Sequence, residues 1–193
     1  MPPDDHEPRA LIFDFDGTLA DTMPTHFLAW QAALIPHGLT FSEARFYELG
    51  GWSTPRLAEL LISEAGSPLA PEQLVREKEA QFVRLAKHIQ PIRPVVEIAS
   101  QNRGVLPLAV ATSGLRRVIS PILAELGLAD WFAAVVTADD VVHAKPAPDL
   151  FLEAARRLNV EPRCCRVYED TDAGLEAAER AGMPSVDVRG LLK

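Results

Sequence analysis

Apolar positions along the chain follow two different patterns, which divide it into an α/β region and an all-helical segment. Leu11, Ile12 and Phe13 form a continuous apolar run, which is typical of a strand buried on both faces of a sheet. Residues 20–91 then repeat apolar side chains at helical spacing and contain no strand signal. From Pro94 onward, short apolar runs alternate with helical segments. This alternation predicts a parallel sheet whose strands are joined by right-handed helical crossovers.

We therefore expect an α/β fold with a parallel, Rossmann-like core at 9–19 and 92–193 and an inserted helical domain at 20–91. In the insert we predict helical segments at 24–37, 42–49, 54–65 and 71–90. In the core we predict strands at 11–13, 106–111, 134–136, 166–168 and 185–188, and helices at 95–102, 114–126, 147–158 and 172–181. Pro121 is expected to kink its helix or to delay its start. Because the insert follows the first strand, it can cover a site at the edge of the sheet where doubly wound folds bind ligands.

Composition and charge narrow the classes of function. The chain has 193 residues, of which 48% are hydrophobic, so it can bury a sizeable core. Its formal charge of −8 argues against general nucleic-acid binding, and no apolar run approaches the length of a membrane span. Residues 1–8 are polar and proline-rich, which predicts a flexible tail and not a secretion signal. The adjacent Cys164 and Cys165 suit neither a relaxed disulfide nor a zinc site, as expected in a reducing cytoplasm.

The first apolar strand leads directly into two aspartates, Asp14 and Asp16. Gly17 then allows the chain to turn sharply. Two carboxylates at the end of a buried strand are costly unless their charge is compensated. A divalent cation is the usual compensation, and hard oxygen ligands suit Mg²⁺. An ordinary surface turn, where Asp and Gly are also common, is the alternative explanation for these two positions alone.

Three further polar groups follow later strands of the predicted sheet. They are Thr112-Ser113-Gly114, Lys145 in a loop with Pro146 and Pro148, and the acidic pair Glu169-Asp170. Taken singly, each has an ordinary explanation as a helix cap or a solvated loop residue. Because parallel strands end at one edge of a sheet, the four groups are expected to meet there. Carboxylates, a hydroxyl and an ammonium group around a metal suit phosphoryl transfer through an aspartate nucleophile, with a second acid for proton transfer.

These residues also resemble a known family. Asp14 to Asp21 resembles motif I of the haloacid dehalogenase superfamily, and the later groups are similar to its motifs II, III and IV in order. The stretch from Tyr168 to Met183 resembles the β-phosphoglucomutase-like branch in particular. The similarity covers nearly the whole chain from Ala10 and implies a Rossmann-like core with a mobile helical cap.

The resemblance implies a role for each matching residue. Asp14 would be the nucleophile, and Asp16 would be the general acid and base, which favours phosphoryl transfer because true dehalogenases lack the second aspartate. Mg²⁺ would be bound by Asp14, the backbone carbonyl of Asp16 and Asp170, with Glu169 either bound to the metal directly or placed behind its ligands. The transferring phosphate would be held by Thr112, Ser113, Gly114 and Lys145.

Three residues of the insert are candidates for substrate binding. His26 lies on the first helix of the insert, where a similar histidine in the mutase branch helps to position the catalytic acid; an amphipathic-helix position is the alternative. Lys78 falls on an apolar stripe, so it either extends to the edge of the bundle or faces the closed cleft. Arg56 contacts substrate or is a solvated residue of a first helical turn. Thr54 stands about where the mutase pattern has an arginine, and the insert looks more like small bacterial sugar-phosphate phosphatases of the fructose-1-phosphate phosphatase type.

We accordingly predict a magnesium-dependent phosphatase that hydrolyses small phosphorylated metabolites, in particular sugar phosphates. It is expected to be a cytoplasmic monomer that binds neither nucleic acid nor membranes. A phosphomutase that uses the same aspartyl phosphate is the first alternative, and it differs by moving phosphate within a sugar. A non-enzymatic, receiver-like signalling module is the second, although the large insert and Asp16 argue against it.

Overall fold

A five-stranded parallel sheet is the framework of the first of two units into which the chain folds. In the computed structural model, which describes residues 7–50 and 52–192, this unit comprises the described parts of Met1–Asp21 and Gln90–Lys193. The strands among the described residues are β1 (Ala10–Phe13), β2 (Ala20–Asp21), β3 (Gln90–Pro91), β4 (Leu108–Ala111), β5 (Ala134–Val136), β6 (Cys165–Glu169) and β7 (Ser185–Asp187). Of the predicted flexible tail, residues 1–6 lie outside the part of the chain that is described.

The strands are arranged in the order β5-β4-β1-β6-β7, with β1 at the centre. Every pairing in this sheet is parallel; Leu11 of β1 is in register with Leu108 of β4, and Phe13 is in register with Tyr168 of β6. All four residues of β1 are buried, as expected of a strand that is covered on both faces. The carboxyl ends of all five strands therefore point to one edge of the sheet, and the predicted α/β class with a parallel sheet is confirmed.

Four longer helices lie among the described residues of the first unit: α5 (Arg93–Asn102), α6 (Arg116–Glu125), α7 (Asp149–Leu158) and α8 (Asp172–Arg180). Helices α1–α4 precede them in the chain and belong to the second unit. The faces of α7 and α8 that pack into the core present small side chains, Ala154 and Ala155 on α7 and Ala177 and Ala178 on α8. Small residues let these parts of the helices approach the sheet closely, and near its start α7 also packs Leu150 and Phe151 into the same core.

The regular secondary structure among the described residues of the second unit, Thr22–Ile89, is helical. It contains α1 (Met23–Leu34), α2 (Glu43–Glu48), α3 (Thr54–Ala65) and α4 (Pro71–Leu85). Helices α1 and α4 pack together, and the unit has a hydrophobic core of its own, which includes Trp30, Phe46, Leu61 and Leu74. Among the described residues of the chain, no helix is both long enough and apolar enough to cross a bilayer.

Several element ends differ from those expected, for physical reasons. Helix α1 ends at Leu34 because Pro36 has no N–H to continue the helical hydrogen bonds, and a 3₁₀ turn, Ile35–His37, follows it. Pro121 lies inside α6, which begins at Arg116 and not at residue 114. Strand β4 is two residues shorter than predicted because Leu106 forms only an isolated bridge with Arg103.

The expectation that residues 20–91 contain no strand is wrong at both ends of that range. Ala20 pairs with Pro91, and Asp21 with Gln90, in an antiparallel two-stranded ribbon that belongs to the first unit. The helical unit is therefore Thr22–Ile89, two residues shorter at each end than the predicted insert. Two-residue strands have no periodicity to detect, and only the meeting of two distant chain segments creates this pair.

Candidate active site

Strand β1 delivers Asp14 to the carboxyl edge of the sheet. The backbone N–H of Asp14 donates to the carbonyl of Tyr168 on β6, at 3.0 Å, and the residue is only 5% exposed. Beyond it the chain turns back, with Gly17 in the left-handed region at φ 83° and its N–H donating to the carbonyl of Ala20 at 2.9 Å. Asp16 lies in this turn, two residues after the buried aspartate.

Lys145 bridges two carboxylates that belong to different strand ends. Its Nζ lies 2.5 Å from Oδ1 of Asp14 and 2.7 Å from Oε2 of Glu169. A third hydrogen bond, of 3.3 Å, goes to the backbone carbonyl of Ala111 at the end of β4. The ammonium group also lies 5.0 Å from the ring centroid of the buried Phe151. Burial lowers the pKa of Lys145, but the two carboxylates more than offset this effect and raise it above its ordinary value.

Glu169 is the last residue of β6, and Asp170 begins the tight turn between β6 and α8. One oxygen of Glu169, Oε1, accepts the backbone N–H groups of Asp170 at 3.1 Å and Thr171 at 2.9 Å. The same oxygen accepts the hydroxyl of Thr171 at 2.8 Å. Oδ1 of Asp170 accepts the hydroxyl of the buried Thr18 at 2.9 Å, which links this turn to the loop after β1.

Thr112, Ser113 and Gly114, which follow β4, differ in burial and in hydrogen bonding. Thr112 is fully buried; its N–H donates to the carbonyl of Val136 at 3.0 Å, and its hydroxyl accepts the N–H of Gly114 at 3.0 Å. The same hydroxyl lies 3.5 Å from Oδ2 of Asp16, so Thr112 and Asp16 are neighbours. Ser113 is exposed. The buried hydroxyl therefore orders this loop and faces the second aspartate.

Three carboxylates are close enough to hold a cation together. Asp14, Glu169 and Asp170 each offer an oxygen, and these oxygens lie within 4.8 Å of one another. Burial, followed by the charge of Glu169, raises the pKa of Asp14 well above its ordinary value, and the same causes raise the pKa of Asp170 to about 6. The protein alone thus leaves negative charge undercompensated here, and hard oxygen donors in this arrangement fit a divalent cation.

Gly17 supplies the space for one of these carboxylates. A Cβ atom at that position would lie 2.3 Å from Oδ2 of Asp170, so any larger residue would displace the carboxylate. This close approach explains, together with the positive φ angle, why the turn after Asp16 has a glycine.

The helical unit brings together two of the three predicted insert residues. Nζ of Lys78 lies 2.9 Å from Nδ1 of His26 and 3.0 Å from Oε1 of Glu79. The His26 ring stacks on Phe82 with 3.9 Å between centroids. Lys78 is only 1% exposed, so it does not extend to solvent at the edge of the bundle. An ammonium group can only donate, and Nδ1 of His26 is therefore the acceptor in this pair.

Arg56 has a different setting within the same unit. Its exposed guanidinium group stacks over the half-buried ring of Trp52, with Cζ 3.6 Å from the ring centroid. Stacking of this kind holds the plane of the side chain while leaving the N–H groups at its edge able to donate.

Two threonines of this site were not singled out from the sequence. The hydroxyl of Thr18 donates to Asp170, and that of Thr171 donates to Glu169. A threonine beside a glycine or before a helix is common, so the sequence around these residues does not indicate a functional role. The Thr171 to Gly174 spacing is that of a helix N-cap, and this was the available indication.

Comparison with known proteins identifies the family. The model of the haloacid dehalogenase-like hydrolases matches residues 8–182. The chain belongs to this family. It is 44% identical over 180 residues to the fructose-1-phosphate phosphatase YqaB of Escherichia coli (strain K12), covering 93% of this chain and 95% of that protein. It is also 30% identical over 192 residues to the β-phosphoglucomutase of Bacillus subtilis (strain 168), covering 93% and 83% of the two chains.

A solved structure shows the same fold. The crystal structure of CbbY from Rhodobacter sphaeroides in complex with phosphate matches with a TM-score of 0.81 and 26% identity, covering 92% of this chain and 84% of that one. The resemblance inferred from the four motifs is thus confirmed, and so is the predicted class of enzyme, a phosphatase of this superfamily. The non-enzymatic signalling alternative is set aside.

The excess of buried negative charge around Asp14 predicts that Asp14→Asn and Lys145→Met affect the stability of the metal-free protein differently. At pH 7.5 Asp14 is ionised in the unfolded chain, and its raised folded-state pKa means that this charge opposes folding. Asp14→Asn is therefore expected to leave the melting temperature unchanged or to raise it. Lys145→Met should lower the stability by about 3 kcal/mol or more, because it leaves buried carboxylates unpaired.

Thermal unfolding in the presence of a chelator measures both effects. Lys87→Met, which removes an exposed lysine, is the matched control and should change little. An Asp14→Asn variant destabilised as strongly as Lys145→Met would contradict the proposed charge balance.

Proposed function

We propose that the protein is a magnesium-dependent phosphatase of small phosphorylated sugars that acts through an aspartyl phosphate on Asp14. The observation that supports this most directly is the bridge that Lys145 makes between Asp14 and Glu169 at the carboxyl edge of the sheet. An ammonium group at this position neutralises a nucleophilic carboxylate and the anionic phosphoryl group that approaches it. The relative from Escherichia coli, a fructose-1-phosphate phosphatase, supports the same activity.

In the proposed reaction, a carboxylate oxygen of Asp14 attacks phosphorus and the bond from phosphorus to the ester oxygen breaks. Asp16 gives its proton to the leaving oxygen, so the alcohol departs neutral. Asp16 then takes a proton from water, the water oxygen attacks phosphorus, and the bond from phosphorus to the Asp14 oxygen breaks, which releases inorganic phosphate and regenerates Asp14. Thr112, whose hydroxyl lies 3.5 Å from Asp16, and the N–H of Ser113 would hold the phosphoryl oxygens, and Gly114, whose N–H donates to the Thr112 hydroxyl, would order that loop.

The metal is proposed from the donor set. The carboxylates of Asp14 and Asp170 and the backbone carbonyl of Asp16 would hold Mg²⁺, with Glu169 beside them. When bound, the ion neutralises negative charge on the phosphoryl group and opens it to attack. The raised pKa values of Asp14 and Asp170 support this assignment, since a cation would restore both to their ionised forms.

The pKa of Asp170 predicts how metal binding depends on pH. Below about pH 6 the metal-free protein holds a proton on Asp170 that Mg²⁺ must displace, whereas at pH 7.5 the carboxylate is ionised. Mg²⁺ should therefore raise the melting temperature more at pH 7.5 than at pH 5, and its affinity by calorimetry should fall about tenfold or more per pH unit below 6, because Asp14 also has a raised pKa. Asp170→Asn should show a small shift at both pH values. Equal shifts at both pH values in the unaltered protein would refute this account.

Phosphate release from a panel of sugar phosphates, with and without a chelator, tests the activity. Asp14→Asn should lower kcat by at least about 10³-fold while the protein stays folded, because the nucleophile is lost. Asp16→Ala should also abolish turnover, since it removes the proposed proton donor to the leaving oxygen. Full activity in the presence of the chelator, or turnover by Asp14→Asn, would overturn the mechanism.

The same assay distinguishes a phosphatase from a phosphomutase, the alternative favoured by the relative from Bacillus subtilis. Phosphorus NMR of the reaction separates inorganic phosphate from phosphate that has moved within the sugar. We propose that inorganic phosphate is the product, because Thr54 stands about where the mutase pattern has an arginine.

We further propose that His26, Arg56 and Lys78 of the helical unit, which would act as a cap, recognise the substrate or position the groups that do. Arg56 is the most direct candidate for substrate contact, because stacking on Trp52 fixes an exposed guanidinium group. Lys78 is buried against His26 and Glu79, so its role would be to hold the His26 ring. We also propose that the protein is a cytoplasmic monomer. The free thiols of Cys164 and Cys165 are consistent with a reducing compartment.

Arg56→Ala should raise KM for the preferred sugar phosphate about tenfold and leave kcat within about threefold, because it removes binding that is equal in ground and transition states. Arg45→Ala is the matched control, since it removes another exposed arginine of the same unit, paired there with Glu64. Steady-state kinetics measure both variants. An unchanged KM in Arg56→Ala would remove this residue from the substrate site.

A further inference from the structure

The hydroxyl of Thr171 has two hydrogen-bond partners of different kinds. It accepts the backbone N–H of Gly174 at 3.1 Å, which caps the start of α8, and it lies 2.8 Å from Oε1 of Glu169. A hydroxyl has one proton, and an N–H group can only donate. The proton of Thr171 must therefore point to Glu169, so the helix cap fixes the direction of the bond to the carboxylate.

Glu169 is held at both of its oxygens and is only 1% exposed. Oε1 receives three donors, the hydroxyl of Thr171 and the backbone N–H groups of Asp170 and Thr171. Oε2 receives Nζ of Lys145 at 2.7 Å. The turn before α8 thus sets the position of Oε1, and Glu169 in turn sets where Lys145 is held.

Gly174 provides the space in which Glu169 is held. A Cβ atom on Gly174 would lie 2.0 Å from both Cδ and Oε2 of Glu169. The first turn of α8 therefore contacts this carboxylate from two sides, with a hydroxyl at Oε1 and a bare backbone next to Oε2. Movement of the helix start would move the carboxylate with it.

We propose that Thr171 is a positioning residue of the phosphatase reaction, whose hydroxyl orients Glu169 so that Lys145 is held against Asp14. This inference rests on the proposed roles of Asp14 and Lys145. Thr171 touches no reacting group itself. Its effect passes through Glu169 to Lys145, whose Nζ lies 2.5 Å from Oδ1 of Asp14.

Three substitutions separate this role from simple capping of α8. Thr171→Ser keeps both hydrogen bonds, and Thr171→Val loses both. Thr171→Asp keeps an acceptor for the N–H of Gly174 but has no proton to give to Glu169, and Asp is a good N-cap residue. Ser42→Ala removes the side-chain cap of α2, in the helical unit, and is the matched control for loss of a cap alone.

We expect Thr171→Val and Thr171→Asp to lower kcat by about tenfold or more with KM within about threefold, because a hydrogen bond to a charged group is lost. Thr171→Ser should stay within about threefold of the unaltered protein in kcat, and Ser42→Ala should keep its kcat. The ¹H–¹⁵N signal of the Lys145 ammonium group, assigned with Lys145→Met, should shift in the Val and Asp variants but not in the Ser variant.

The outcomes decide between the two roles. Recovery of kcat and of the Lys145 signal in Thr171→Asp would mean that Thr171 only caps the helix, and the proposal would be overturned. If the Asp variant does not fold, the Ser and Val pair decides, with Ser42→Ala as the measure of a lost cap. Turnover by Asp14→Asn would instead refute the proposed function. An inactive Asp14→Asn together with full kcat in Thr171→Val would refute the role of Thr171 alone.

Discussion

The site depends on the compensation of buried negative charge at one edge of a parallel sheet. Asp14 and Glu169 come from neighbouring strands, and both are almost fully buried. Buried carboxylates are tolerated only where cations or hydrogen-bond donors face them. Within the described residues of this cluster, Lys145 is the cation that contacts both, and all three of its protons are directed to Asp14, Glu169 and the carbonyl of Ala111. Burial and the charge of Glu169 outweigh the effect of Lys145, so the pKa of Asp14 stays above its ordinary value, and the same edge suits a divalent cation.

Glycine and threonine residues around the carboxylates make this arrangement possible. Gly17 leaves room for Asp170, and Gly174 leaves room for Glu169. Thr18 and Thr171 each donate a hydroxyl proton to one of these two acids. Gly17 and Thr18 follow β1, whereas Thr171 and Gly174 lie at the start of α8, so a change in the first segment alters a carboxylate of the second. Hydrogen-bond donors placed in this way stabilise the ionised acids without adding charge.

A buried cation is compensated in the helical unit as well. Lys78 is surrounded by the carboxylate of Glu79, the ring nitrogen of His26 and the face of Phe82, whose centroid lies 5.0 Å from Nζ. A lysine on the apolar stripe of α4 is thereby kept away from solvent, where it would otherwise be most stable. The hydrogen bond from Lys78 holds the ring of His26 in place. Arg56 differs, because its guanidinium group stacks on Trp52 and is exposed, so its charge needs no buried partner.

The sequence by itself predicted the α/β class, a helical insert at 20–91 that is correct except at its two ends, and the acids and the lysine that the structure brings together at the sheet edge. These follow from local rules: the period of the apolar positions, and polar residues placed directly after apolar runs. Tertiary structure decided what those rules cannot express. The β2–β3 ribbon exists only because two segments seventy residues apart meet; the burial of Lys78 depends on which side chains surround it; and the bonds of Thr18 and Thr171 depend on which carboxylate a common threonine faces. Periodicity reports the face on which a residue lies, whereas charge compensation is set by distances between atoms that the chain brings together only on folding.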